Sequence, residues 1–242
     1  VSAALVTGAT SGVGFALAQR LLATGTAVLT CGRDPDRLAA ARRRLPGLRT
    51  VTADLAVPAD VDRVALVAAT LPGLDLLVNN AAVQLPRDWL SHDPAALLDD
   101  TDTELGTNLA APLRLTAHLL PVLADQDSAA VVSVTSALGT VPKRSAPTYC
   151  ATKAALSAFT TALNHQLTRD APNVRAVEVV LPLVDTAMTA GRGSGKISPD
   201  AAADGILAGL RRGGTTVRVG KVGVLLGVHR FSPRLAARLV AD

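Results

Sequence analysis

The sequence predicts an α/β fold: a doubly wound parallel sheet of about seven strands with helices on both faces. Three observations lead there. Short runs rich in Val and Leu recur at residues 4–7, 27–31, 49–53, 76–79, 130–134, 174–181 and 216–219, and they are apolar on both faces, as buried parallel strands are. Segments of helical period separate them at 13–23, 35–45, 59–70, 102–123, 148–168 and 199–211. The order is therefore strand then helix throughout, which right-handed crossovers turn into one sheet with two helical layers.

Boundary residues support each element in turn. The first helix stops at Gly25, a residue free to take the left-handed conformation that ends helices. Asp34-Pro35 supplies a cap and a first helical position for the second helix, and Ser198-Pro199 does the same for the sixth. Residues 81–100 and 182–198 are longer than simple connections; the second contains Gly191-Arg192-Gly193-Ser194-Gly195 and is expected to act as a lid over a substrate. Beyond residue 222, Ser232-Pro233 opens a last helix over 234–240, which would complete either a pocket or an interface. The sequence shows no linker, repeat or low-complexity tract, so one dinucleotide-binding and catalytic domain is expected over 1–242.

Composition removes several function classes. With 242 residues, 49% hydrophobic and 18% charged, the chain can bury a core without disulfides or structural metal. Cys31 and Cys150 form no metal-binding spacing, and no leader or membrane-length apolar run is visible. Reduced thiols, a cytoplasmic location and no membrane association are expected. The net charge of +4 is spread along the chain apart from Arg42-Arg43-Arg44, and only three Phe, one Trp and one Tyr are available to stack on bases. No nucleic-acid partner and no metal site are expected.

Four groups of residues carry chemistry. Thr7-Gly8-Ala9-Thr10-Ser11-Gly12-Val13-Gly14 joins the first strand to the first helix. It is either a tight turn without a ligand or a loop whose free N–H groups receive a pyrophosphate at a helix N-terminus. Arg33 ends the second strand, where an acidic residue would hold the ribose of NAD and an arginine suits the 2′-phosphate of NADP; the alternative is a surface arginine capping the loop. Tyr149 and Lys153 stand four apart on one helix face, so an ammonium could favour the phenolate and lower the tyrosine pKa, with Ser136 upstream; the alternative is a half-buried tyrosine beside an unrelated surface lysine. Asn108 puts a polar amide inside an apolar helix, which needs partners, either across helices or in a site.

Together these residues resemble the compact branch of the short-chain dehydrogenase/reductase family over essentially the whole chain. Thr7-Gly8, Gly12-Val13-Gly14 and the intervening Thr10 and Ser11 resemble its cofactor loop, Asp54-Leu55 its adenine element, and Asn79-Asn80-Ala81-Ala82 its NNAG segment. Asn108, Ser136, Tyr149 and Lys153 fall on its Asn–Ser–Tyr–Lys tetrad, and Pro182-Leu183-Val184-Asp185-Thr186 resembles its PG…T segment. Ala82 and Leu183 replace family glycines; Leu183 is expected to reshape the pocket near the nicotinamide.

The resemblance implies a Rossmann-type domain that transfers hydride between a nicotinamide cofactor, NADP(H) in preference to NAD(H), and a small carbonyl or alcohol compound. Tyr149 would act as general acid and base, Ser136 would polarise the oxygen, Lys153 would hold the ribose and lower the Tyr149 pKa, and Asn108 would anchor a water-linked proton path. Gln84, Trp89, Leu138, Val141, Lys143, Arg144, Leu183 and Met188 are expected around the substrate, most of them apolar. Two other readings use the same residues: a dehydratase or epimerase, and a cofactor-sensing regulator or scaffold. The resemblance also implies homodimers or homotetramers built on helices 102–123 and 148–168, with Leu113, Leu119, Leu120, Ala155, Phe159 and Leu163 as candidate contacts.

Overall fold

The computed structural model describes residues 2–90 and 93–241. Seven parallel strands, β1 (Ala3–Val6), β2 (Ala27–Gly32), β3 (Arg49–Thr52), β4 (Leu74–Asn79), β5 (Ala129–Ser136), β6 (Val174–Leu181) and β7 (Thr216–Arg218), lie in the order β3-β2-β1-β4-β5-β6-β7. The chain leaves β1 toward one edge and returns through β4 toward the other. The carboxyl ends of β1 and β4 therefore diverge into a crevice, the place where doubly wound sheets bind ligands.

Alternation along β1 shows how two cores form on one sheet. Ala4 and Val6 join an apolar cluster with Leu17, Leu21, Ala202 and Ile206, from α1 (Gly12–Ala23) and α7 (Pro199–Arg211). Ala3 and Leu5 point the other way, into a cluster with Val64, Leu115, Leu119 and Leu163, from α3 (Pro58–Ala69), α5 (Ala111–Ala124) and α6 (Pro147–Asp170). Charged pairs join neighbouring helices at the surface: Arg20 of α1 meets Asp200 and Asp204 of α7 at 2.9 and 2.5 Å, and Asp62 of α3 meets Arg114 and His118 of α5 at 2.5 and 2.8 Å.

The expected boundaries hold within a few residues for every strand and for α2 (Pro35–Arg44), α3, α6 and α7; two regions differ. The connection expected over 81–100 ends early. α4 (Pro94–Leu105) starts at a Pro behind Asp93, whose carboxylate accepts the Ala96 N–H at 3.2 Å, and the helical path then continues through 106–110 into α5. At 106–110 the helix widens: Ala111 N–H bonds to the Gly106 carbonyl five residues back. Pro112 has no N–H to offer the Asn108 carbonyl, which favours a wider turn there. The second difference is α8 (Val222–Phe231), a helix not anticipated from the sequence, which leads into α9 (Pro233–Leu239). The Ser232 hydroxyl caps α9 by accepting the Leu235 N–H at 3.3 Å.

Candidate active site

A cavity of about 1360 Å³ runs along the carboxyl ends of the strands. Sites for one drug-sized ligand occupy about 300–1,000 Å³, so a dinucleotide and a second small molecule fit together. Gly8, Thr10, Ser11, Gly12, Val13, Gly14, Arg33, Asp54, Leu55, Asn80, Ala81, Ala82, Pro182, Val184 and Thr186 all line it.

The glycine loop is shaped as a cradle. Gly8 and Gly12 have φ of 70° and 56°, a region that side chains other than glycine seldom enter. A Cβ at Gly14 would stand 2.5 Å from the Asn80 side-chain nitrogen and 2.6 Å from the Gly8 carbonyl, so no other residue fits. The Thr7 hydroxyl accepts N–H bonds from Asn80 and Ala81 at 3.0 and 2.9 Å, while the Asn80 amide donates to the Thr7 carbonyl at 2.8 Å, locking the ends of β1 and β4 together. Ser11 starts α1 without a side-chain cap, so the first-turn N–H groups face the cavity without an intrahelical acceptor. These free donors and the absence of room for side chains fit a pyrophosphate.

At the far end, Arg33 is 64% exposed and 4.0 Å from Asp54, a loose pairing that leaves the guanidinium available. Arg37, which the sequence reading did not single out, lines the same end and pairs at 3.4 Å with Asp34, the cap of α2. Its position four residues beyond Arg33, on the first turn of a capped helix, was the available signal.

Ser136, Tyr149 and Lys153 lie on the wall in the middle of the cavity. The Ser136 and Tyr149 side chains are hydrogen-bonded, and Ser136 Oγ also accepts the Leu138 N–H at 3.2 Å. The expected effect of Lys153 on Tyr149 is not found. Burial pushes the Tyr149 phenol up to about 12, against a smaller lowering by Ser136, and burial brings Lys153 down to about 8. The reason is orientation: Lys153 Nζ donates to the Val134 carbonyl at 2.9 Å and stands 5.7 Å from the centre of the tyrosine ring.

Asn108 lies behind this wall and is fully buried. Its Oδ1 accepts the Val83 N–H at 2.8 Å and its Nδ2 donates to the Val83 carbonyl at 2.8 Å, so the side chain is committed to the backbone after β4. The polar residue inside the helix is thus explained by its partners. Ala82 packs with Ala146, Tyr149, Cys150 and Leu138, which accommodates the methyl in place of the family glycine.

Leu138, Leu183 and Met188 line the cavity, together with Gln84 and Lys143. Arg144 does not: it is exposed and its neighbours Lys143 and Ser145 take the wall, so that expectation is corrected by the turn before α6. Trp89 and Val141 are also absent from this wall; Trp89 is 54% exposed and Val141 is packed inside. Of the two roles open to the tail, the structure shows the first, because Val222, Val224, Leu225 and Val228 of α8 and Leu239 and Val240 at the end of α9 line the cavity. Val224 and Val228 are four apart on one helical face, a spacing visible in the sequence but masked by Gly223 and Gly227. Among the described residues, no three His, Cys, Asp or Glu side chains group as a metal ion would require, and no helix is long and apolar enough to cross a membrane.

Comparison with known proteins agrees with this arrangement. Residues 2–196 match the family model described as short chain dehydrogenase. The chain is 38% identical over 185 residues to the uncharacterized oxidoreductase DltE of Bacillus subtilis, covering 76% of this chain and 72% of that one. It superposes on a short chain dehydrogenase from Burkholderia cenocepacia in complex with NADP with a TM-score of 0.84 and 28% identity, over 100% and 98% of the two chains. It also superposes on 3-ketoacyl-(acyl-carrier-protein) reductase from Brucella melitensis complexed with NADH, with a TM-score of 0.74 and 25% identity, over 85% and 89%. A glycine cradle at the sheet crevice, a Ser, Tyr and Lys on one wall and a family match over most of the length lead to one assignment: the chain belongs to the short-chain dehydrogenase/reductase family and is an NAD(P)(H)-dependent oxidoreductase.

Proposed function

We propose that this oxidoreductase uses NADP(H) in preference to NAD(H) and interconverts a small carbonyl compound and its alcohol, with Tyr149 as the proton donor and acceptor. The observation that carries the reading is the shared cavity: Ser136 and Tyr149 face the same space as the glycine cradle, and two guanidinium groups stand at its far end. When bound, the nicotinamide cofactor supplies or accepts the hydride at the carbon.

The chain's own residues do the rest. First-turn N–H groups of α1 hold the pyrophosphate, and Arg33 with Arg37 meets the 2′-phosphate as a pair of planar, permanently charged donors. Ser136 donates to the substrate oxygen. Tyr149, protonated at neutral pH because burial disfavours its phenolate, gives that oxygen a proton during reduction. Lys153 anchors the ribose, and Asn108 is a positioning residue that holds the Val83 backbone beside the cofactor.

The test pairs binding with turnover. In calorimetric titrations NADPH should bind at least about tenfold tighter than NADH, about 1.4 kcal/mol. Tyr149→Phe should retain NADPH binding and lose carbonyl reduction by about a hundredfold or more. Binding without any turnover in the wild-type protein would favour a cofactor-sensing regulator instead.

A further inference from the structure

Among the described residues, no carboxylate lines the substrate end of the cavity, where Arg192 stands; Glu104 lies behind that wall, buried and bonded to the Leu85 N–H. Among the described lining residues the carboxylates are Asp34 and Asp54, both at the arginine-rich far end. Arg192 lines the opposite end, and its Nη1 donates to the Gln84 Oε1 at 2.5 Å. A carboxamide oxygen occupies one of the five N–H donors of a guanidinium and leaves its charge intact. The Gln84 amide then keeps its own –NH2 group as a further donor. Arg192 and Tyr149 line the same cavity, and the Arg192 charge, opposed by that of Glu104, favours the Tyr149 phenolate.

Both sides of this pair are built to hold position. Gln84 is flanked by two anchored residues. Asn108 takes both backbone groups of Val83 at 2.8 Å, and Glu104, buried one helical turn earlier, accepts the Leu85 N–H at 2.6 Å. Arg192 sits in a loop closed at its base, where Asp185 N–H donates to the Ile197 carbonyl at 2.9 Å and Ile197 N–H to the Leu183 carbonyl at 3.1 Å. Gly191, Gly193 and Gly195 have φ of 71°, 53° and 72°, and a Cβ at Gly193 would stand 2.7 Å from Leu183 Cδ2. The glycines therefore let the loop lie directly on Leu183 and turn Arg192 inward.

Resting on the oxidoreductase reading above, we infer that the Gln84–Arg192 pair is a carboxylate clasp, and that the substrate is a carbonyl or alcohol compound that carries a carboxylate. A guanidinium beside a carboxamide –NH2 presents donors that match the two oxygens of a carboxylate. The remaining wall, from Leu138, Leu183, Met188, Leu225 and Val228, accepts the apolar part of the molecule.

The experiment uses matched pairs of 2-oxobutanoate, 3-oxobutanoate and 4-oxopentanoate with their neutral amides. Reduction by the NADPH-loaded enzyme is followed together with calorimetric binding of each acid to the NADP-loaded protein. At least one acid should exceed its amide in kcat/KM by about ten- to a hundredfold. Arg192→Gln should abolish that preference, bringing the acid-to-amide ratio of kcat/KM within the variant to about one, chiefly through the KM of the acid, and weaken acid binding by the same factor; Arg192→Lys should restore only part of the ratio. Equal use of acid and amide, a preference that survives Arg192→Gln, or bound nucleotide with no acid reduced or bound would overturn the clasp. Failure of both nucleotides to bind would instead overturn the oxidoreductase reading, and the clasp with it.

Discussion

Tyr149 and Lys153 show where single-residue reasoning stops. Their spacing on one helix face was legible, because it depends only on helical period. The direction of their pKa shifts was not, because it depends on burial and on which acceptor the lysine reaches, here the Val134 carbonyl. A buried ammonium held near 8 destabilises the fold wherever it must stay charged. The lowered folded-state value means that this residue's contribution to stability is fully favourable above the unfolded value of 10.5 and is lost as pH falls through about 8. Lys153→Met should therefore raise the cofactor-free melting temperature at pH 7 by roughly 2–6 °C, with the gain vanishing above about pH 10.5. Thermal scans across pH check this; a constant gain would assign the effect to packing. At the other end of the cavity, Arg33→Ala should weaken NADPH by about ten- to thirtyfold and change NADH less than about twofold, as separate titrations would show.

At the scale of elements, β-strands and amphipathic helices were legible because burial imposes a period on them. The glycine loop and the Ser, Tyr and Lys of the candidate site were legible because they sit at the ends of such elements. The pieces that escaped have no clear period. Residues 94–101 hold a Pro, two adjacent Leu and paired Asp without a continuous apolar stripe, and α8 contains Gly223 and Gly227. The Gln84–Arg192 contact joins residues 108 apart, and only the folded chain brings them together. Leu183 belongs to the same scale, since it supports the glycine tract from beneath. Leu183→Gly should remove that support: cleavage within 191–195 should become several-fold faster under limited proteolysis, and the range of carbonyl compounds accepted should widen. An unchanged cleavage rate and substrate range would mean that the loop is held by its base hydrogen bonds alone.

At the scale of the molecule, the expected self-association has to be placed on surface that the fold leaves free. Of the candidate contacts read from the sequence, Leu119 and Leu163 are buried in the core between α5, α6 and the sheet, and cannot also meet a second copy. The exposed side of α6 is instead made of small residues, Ala151, Ala154, Ala158, Thr161 and Ala162, at helical spacing. Small side chains let two helices approach closely, and Phe159 and Leu120, half-buried beside the core, supply apolar area at the edges. We propose that two copies pack through this face, with Tyr149 and Lys153 on the opposite side of the same helix. Such an interface would stiffen α6 and so hold Tyr149 and Lys153 in place. Light scattering of the wild-type protein should then give a dimer or tetramer. Ala158→Arg should shift it toward monomer, lower the melting temperature by several degrees and reduce turnover more than NADPH binding. A wild-type monomer, or an Ala158→Arg variant that keeps the same mass, would remove α6 as the interface.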